Sequence, residues 1–140
     1  MVIEISGDMF KHTDNAFIAH CVSGDFKLGA GVAKEIDSRY SMKVKLKRVY
    51  GREKSVVGRA LLIESIFNLV DKDGCRDRAR LSNIESALND LKKQCDTWGI
   101  KELVMPRIGC GRDRLKWVDV RKLIYEIFDN SDINVTVYIM

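Results

Sequence analysis

Leu103-Val104-Met105-Pro106-Arg107-Ile108-Gly109-Cys110-Gly111-Arg112-Asp113-Arg114-Leu115-Lys116-Trp117 is the stretch whose reading decides the fold. Its first three residues are apolar and read as a short strand, stopped by Pro106, the only proline in the chain. Alternating glycines follow. From Trp117 onward, Trp117, Val120, Leu123, Ile124, Ile127 and Phe128 recur at helical spacing and mark an amphipathic helix. Strand, glycine loop and helix make the junction at which α/β sheets bind ligands, outside the carboxyl ends of their strands.

The same alternation extends outward. Val2–Ile5 is β-branched and alternating, a short strand ended by the turn Ser6-Gly7-Asp8. Ala16–Val22 is a mostly apolar run, consistent with a strand covered on both faces. Leu28-Gly29-Ala30-Gly31-Val32 leads from it into a helix beginning near Gly31. Arg39–Lys54 is polar and helical in part, with a break at Tyr50-Gly51. Val57–Ile63 and Ile66–Val70 read as antiparallel neighbours, and Asp71-Lys72-Asp73-Gly74 as a loop. Leu81, Ile84, Leu88, Leu91 and Cys95 fall on one helix face, closed by Gly99 as a C-terminal cap. Val135–Ile139 is a last strand. These elements predict one α/β domain over residues 1–140, with helices flanking a mixed sheet.

Composition narrows the class. Hydrophobic residues make up 46% and charged residues 31%, a globular profile. No apolar run approaches the ~20 residues that span a bilayer, so no membrane is expected as a partner. The acidic start Met1-Val2-Ile3-Glu4 is unlike a secretory leader. Cys21, Cys75, Cys95 and Cys110 show no CxxC pair, and with only His12 and His20 beside them no metal site is expected. Free thiols fit a reducing compartment, so the expected location is intracellular, cytoplasmic with the nucleus as alternative. The net charge is +4, but eight basic residues between Arg39 and Arg59 face the single acid Glu53. That segment is either a solvated helix face or a patch for a polyanion.

Two glycine-rich loops at strand-to-helix junctions suggest a ligand with two phosphates held between them, because glycine lets the backbone approach and helix-start N–H groups favour anions. Neither loop is a dinucleotide fingerprint or a P-loop. Three ionisable residues stand near them. Asp8 follows the first strand and can accept a hydrogen bond from a base or sugar, or be a turn aspartate. Asp113 ends the second loop and either serves the ligand or N-caps the next helix. Lys72 follows a strand and is otherwise a solvated surface lysine.

Taken together, Gly7-Asp8-Met9-Phe10, Ala19-His20-Cys21-Val22-Ser23, Leu28-Gly29-Ala30-Gly31-Val32-Ala33, the stretch from Met105 to Trp117 and Val135-Thr136-Val137-Tyr138 resemble a macrodomain over almost the whole chain. More narrowly they resemble its terminal ADP-ribose protein glycohydrolase branch. The resemblance implies a single domain built as a three-layer α/β/α sandwich, monomeric, with no cofactor. It implies that Asp8 holds the adenine amino group, with the Met9 backbone nearby. Leu28, Gly29, Ala30, Gly31 and Val32 would contact the phosphate and distal ribose, helped by Ser23. Ile108, Gly109, Cys110, Gly111 and Arg112 would wrap the pyrophosphate, and Tyr138 and Met140 would border the adenosine.

The branch's catalytic pair, a lysine after a central strand and an aspartate ending the second loop, falls on Lys72 and Asp113. Lys72 would attack C1″ of the distal ribose as a neutral amine, forming a covalent lysyl–ADP-ribose. Asp113 would act as the acid/base. The better-known macrodomain hydrolases carry an asparagine pair where this chain has His20-Cys21. The loop Asp73-Gly74-Cys75-Arg76-Asp77 is more acidic than in relatives, and Asp71 and Asp73 favour the charged form of Lys72.

The expected activity is removal of ester-linked mono-ADP-ribose from a modified protein, or from nucleic acid engaged through the basic segment 39–59. The same pocket suits deacetylation of O-acetyl-ADP-ribose or dephosphorylation of ADP-ribose 1″-phosphate. Two alternatives are a non-catalytic ADP-ribose reader and a nucleic-acid-binding module that uses the basic segment.

Overall fold

The computed structural model describes residues 1–111 and 113–140. Six strands form one sheet: β1 (Val2–Ser6), β2 (Phe17–Ser23), β3 (Ala60–Ile63), β4 (Ile66–Lys72), β5 (Glu102–Pro106) and β6 (Asn134–Ile139). Their spatial order is β1-β6-β5-β2-β4-β3, with every pairing parallel except the β3–β4 hairpin at one edge. Helices α1 (Gly31–Tyr40) and α2 (Met42–Tyr50) cover one face, and α3 (Leu81–Trp98) and α4 (Trp117–Phe128) the other. This is the expected α/β/α sandwich around a mixed sheet.

The two-sided burial follows from the sequence of β4, an almost continuous apolar run. Phe67 and Leu69 pack with Ile84, Leu88 and Leu91 of α3, and with Val120, Ile124 and Phe128 of α4. Ile66 and Val70 point the other way, to Ile36 of α1 and to Met42 and Leu46 of α2. The period of two along the strand thus feeds two separate cores. Gly99 adopts φ 70° and caps α3 as its position suggested.

Beyond shifts of one residue at other strand ends, four features differ from the sequence reading. β3 begins at Ala60 rather than Val57, because Gly58 takes φ +80° in a turn where the Arg59 N–H donates to the Val56 carbonyl at 3.1 Å. The polar segment from Arg39 holds the end of α1 and then α2, divided at Ser41 with φ 53°. Asp37 Oδ1 accepts the Lys43 N–H at 2.8 Å across that break. Met9–Lys11 forms a single 3-10 turn with Asp8 as its N-cap. Most consequential, β4 continues through Asp71 to Lys72, so the lysine is the last residue of a buried strand and not part of a loop.

Candidate active site

The five parallel strands all run in one direction, so their C-terminal ends share one edge of the sheet. Along the strand order, that edge carries Asp8 after β1, Tyr138 and Met140 at the end of β6, the 107–113 loop after β5, the Ser23–Gly31 segment after β2 and Lys72 at the end of β4. Four strand spacings of ~4.8 Å make this row about 19 Å long, room for a nucleoside diphosphate carrying a sugar.

At one end, Asp8 Oδ1 accepts the Phe10 N–H at 3.0 Å, capping the 3-10 turn, and its other oxygen meets no donor among the described residues. Met9 is fully buried, so only its backbone can serve, and its N–H donates to Met140 Sδ at 3.4 Å. The Tyr138 ring lies parallel to His12, with centroids 5.5 Å apart and planes 9° apart. An exposed histidine stacked on a buried tyrosine makes an aromatic wall at this end; the sequence reading included Tyr138 but not His12.

Both glycine loops present open backbone. Among the described residues beyond its chain neighbours, a Cβ built on Gly29, Gly31 or Gly111 would meet no atom within 4 Å. Gly109 differs: its φ is +74°, and a Cβ would come within 3.2 Å of Ile84 Cδ1 and Leu115 Cδ1. That glycine shapes the loop, whereas the other three leave space in front of it. Leu28 is buried with φ 45° and offers only its backbone. Among the described residues no side chain caps α1, whose first N–H groups after Ala30 face the same edge without an acid in the first turn. Ile108 is buried, and the half-buried Cys110 thiol donates to the Ile108 carbonyl at 3.3 Å. Val32 is partly exposed in the first turn of α1. Arg112 lies outside the described residues.

At the other end, Lys72 Nζ lies 2.6 Å from Asp113 Oδ1. The alternative role for Asp113 as a helix cap does not apply, because Lys116 is the N-cap of α4 and no side chain caps it. Burial pulls the Lys72 amine down, but the hydrogen bond and charge of Asp113 outweigh it and hold the amine above the ordinary lysine range. Burial likewise pushes Asp113 up, and hydrogen bonds from Asp71 and Lys72 bring it below the usual carboxylate range. The resting pair is therefore ammonium and carboxylate.

Ser23 does not point a free hydroxyl at the loop. It is buried, and its Oγ donates to Asp25 Oδ1 at 2.6 Å. Asp25 also accepts the Lys27 N–H at 3.2 Å and, through Oδ2, the Cys75 N–H at 2.8 Å. It thereby ties the Ser23–Gly31 loop to the loop after β4, a role legible only as an Asx turn in the sequence. Beside these loops lies a groove of about 510 Å³, bordered by Gly24, Asp25 and Asp73 and by Lys47, Arg52 and Lys54. Of the eight basic residues in the 39–59 segment, Arg39 pairs with Glu35, Lys45 with Glu64 and Arg59 with Glu53. Lys47, Arg52 and Lys54 instead face the groove.

A profile of the Macro domain family matches residues 12–124. Human ADP-ribose glycohydrolase OARD1 is 32% identical over 137 residues, covering 96% of this chain and 88% of the relative. Among solved structures, the macrodomain of Mycobacterium tuberculosis DarG superposes with a TM-score of 0.90 at 23% identity, over 100% of this chain and 98% of that one. Thermosipho africanus DarTG, solved in complex with ADP-ribose, gives a TM-score of 0.83 at 21% identity, over 96% of this chain and 40% of that one.

Proposed function

This chain belongs to the macrodomain family, and on that footing we propose that it binds ADP-ribose and hydrolyses ester-linked mono-ADP-ribose from a modified macromolecule. The observation that carries the reading is the 2.6 Å contact between Lys72 and Asp113, at one end of the row of loops suited to a nucleoside diphosphate. The name of the human relative, an ADP-ribose glycohydrolase, supports the same activity.

In this reading the adenine lies at Asp8 and Tyr138, and the pyrophosphate between the 28–32 and 108–111 backbones. The distal ribose then reaches Lys72. A neutral amine is required, and the contact geometry supplies the route: one proton moves from Lys72 Nζ to Asp113 Oδ1, creating nucleophile and acid in a single transfer. The amine attacks C1″, a C1″–N bond forms, and the bond from C1″ to the ester oxygen breaks. The departing oxygen takes the proton from Asp113. In the second half, Asp113 accepts a proton from water as its oxygen adds to C1″. The C1″–N bond then breaks, and the amine of Lys72 is restored.

The groove bordered by Lys47, Arg52 and Lys54 lies beside the reacting end, where the released group departs, and its charge suits an acidic protein or a nucleic-acid backbone. O-acetyl-ADP-ribose and ADP-ribose 1″-phosphate present the same C1″ end with smaller leaving groups and fit as further substrates.

One observation favours the alternative of a reader. The pair that defines the site also keeps Lys72 protonated at rest, and an ammonium binds without reacting. Incubation with a glutamate-ADP-ribosylated peptide decides between them. Wild type is expected to release ADP-ribose and to yield a trappable adduct on Lys72. Tight binding of ADP-ribose with the modification left intact would identify a reader.

A further inference from the structure

We propose that Asp71 is a positioning residue of this reaction: its buried, un-ionised carboxyl donates a hydrogen bond to the Asp113 carboxylate and leaves Lys72 facing a single negative charge. The inference rests on the function proposed above and adds a third residue to it.

Asp71 is 0% exposed, the one fully buried carboxylate among the described residues. Neither of its oxygens receives a proton from a donor among those residues. Its side chain stands beside the carboxyl of Asp113 and the thiol of Cys21. Two neighbouring carboxyls, one of them fully buried without a donor, do not both stay ionised, so one of them carries a proton. Asp113 has the Lys72 ammonium at 2.6 Å to compensate its charge, and Asp71 has no comparable partner. The shared proton therefore resides on Asp71.

The surroundings point the same way. Burial first, and then the neighbouring Asp113, push the Asp71 carboxyl up to about 8. From β2, Cys21 faces it, and burial together with Asp71 and Asp113 keeps that thiol neutral. From its own strand comes Lys72, and from the loop after β5 comes Asp113. Helix α3 contributes only an uncharged group, Asn83, whose Nδ2 donates to the Asp71 carbonyl at 3.1 Å. Asp71 is also placed by a strand irregularity. The β2–β4 register pairs Val22 with Val70 and Ser23 with Lys72, so Asp71 has no partner residue on β2.

The chemistry follows from charge. While Asp71 holds its proton, Asp113 is stabilised as the carboxylate that it becomes each time it yields a proton to the leaving group. Once Asp71 ionises, a second negative charge faces Asp113 and Lys72 together. Asp113 is repelled and loses its donor, and the ammonium of Lys72 is held more tightly against the transfer that makes it a nucleophile. Turnover is therefore expected to fall as pH rises through about 8.

The test uses the intact protein and two readouts. Carboxyl ¹³C NMR should show one aspartate titrating near pH 8, absent from Asp71→Asn; if every carboxyl is ionised by pH 6, the proposal is overturned whether or not the protein turns over substrate. Asp71→Leu, which removes the donor, should lower kcat by roughly tenfold or more, the scale of one hydrogen bond to a charged group. Asp71→Asn, a neutral donor that does not ionise, should recover much of that loss and remove the alkaline fall in the pH–rate profile. An Asp71→Asn profile that retains the wild-type alkaline limb sinks the proposal. A wild type that shows the titration but no turnover sinks the hydrolase reading instead.

Discussion

Lys72 and Asp113 meet at 2.6 Å from opposite sides of β2, one at the end of β4 and the other in the loop after β5, with side chains 11% and 16% exposed. The contact spans the middle of the sheet, so it joins two elements that are not neighbours in the strand order. A pair this sheltered depends on both members, because removing one leaves the other partly desolvated and uncompensated.

Separate substitutions should therefore divide chemistry from binding. Lys72→Arg keeps a cation beside Asp113 but supplies no amine, and Asp113→Asn keeps the shape without the proton relay. Each is expected to lower kcat by on the order of a hundredfold or more. The ADP-ribose Kd, measured by calorimetry, should move by less than about threefold, since neither residue holds the adenosine or pyrophosphate in this reading. Asp113→Ala should in addition lower stability by roughly 1–3 kcal/mol, read by urea unfolding, because the half-sheltered ammonium loses its partner. An Asp113→Asn enzyme with full kcat would remove Asp113 from the chemistry.

The glycines divide into two kinds by what lies in front of them. Gly111→Ala and Gly29→Ala would place a methyl where no atom of the described residues beyond the chain neighbours comes within 4 Å, at backbone angles open to any residue. Both should fold with little loss in stability yet weaken ADP-ribose binding by about tenfold or more, because the methyl occupies the approach of the pyrophosphate. Gly109→Ala should do the reverse to stability. Its φ of +74° and its 3.2 Å approaches to Ile84 and Leu115 cost about 1–3 kcal/mol. Thermal melts beside calorimetric titrations distinguish the cases. Unchanged affinity in Gly111→Ala would place the phosphates elsewhere.

Asp8 carries two duties that one conservative change separates. Asparagine is as good an N-cap as aspartate, so Asp8→Asn should keep the bond from the Phe10 N–H and shift Tm little. It replaces one acceptor oxygen by an NH₂ group that does not accept the adenine amino proton, so ADP-ribose affinity should drop by about tenfold. Adenosine should lose as much as ADP-ribose does, and ribose 5-phosphate nothing. A loss confined to melting temperature would make Asp8 a turn residue alone.

The fold was legible where residue periodicity is strong. Leu81 to Cys95 and Trp117 to Phe128 announce α3 and α4, and the apolar run at Ile66–Val70 announces a strand buried on both faces. Asp71-Lys72-Asp73-Gly74 misled because three charged residues and a glycine read as a loop, whereas packing against α3 carries β4 two residues further and buries the first aspartate completely. Lys72 and Asp113 could be paired only through the family resemblance, since no local pattern reports contacts across a sheet. Asp71 had no chemical signal of its own. Beside Lys72 it reads as a second charge, and only its burial against another carboxyl turns that reading around. Ser23 likewise looked free for a phosphate until Asp25, two residues on, was found to hold its hydroxyl.

Acid should unfold this protein through His20. Its Nε2 meets Asn68 Oδ1 at 2.6 Å, and the orientation of that amide is fixed because Asn68 Nδ2 donates to the Leu61 and Ile66 carbonyls at 3.1 and 3.4 Å. The imidazole therefore carries its proton on Nε2, and Nδ1 is a buried acceptor that meets no donor among the described residues. Burial disfavours the imidazolium and brings His20 down to about 4, despite the opposing bond to Asn68. The unfolded chain takes up this proton near the ordinary value of ~6.5, so the folded state holds an advantage above that pH and loses it as pH falls toward 4. At ~1.4 kcal/mol per pH unit the loss amounts to about 3 kcal/mol. Asp71 acts in the opposite sense: its raised folded value favours the native state below the ordinary carboxylate range and loses that contribution as pH rises toward 8. Urea unfolding in the Asp71→Asn background isolates the histidine. There, stability should fall steeply between pH 6.5 and 4.5, and His20→Gln, which does not titrate, should flatten that slope. Parallel slopes with and without His20 would assign the acid transition to the carboxylates instead.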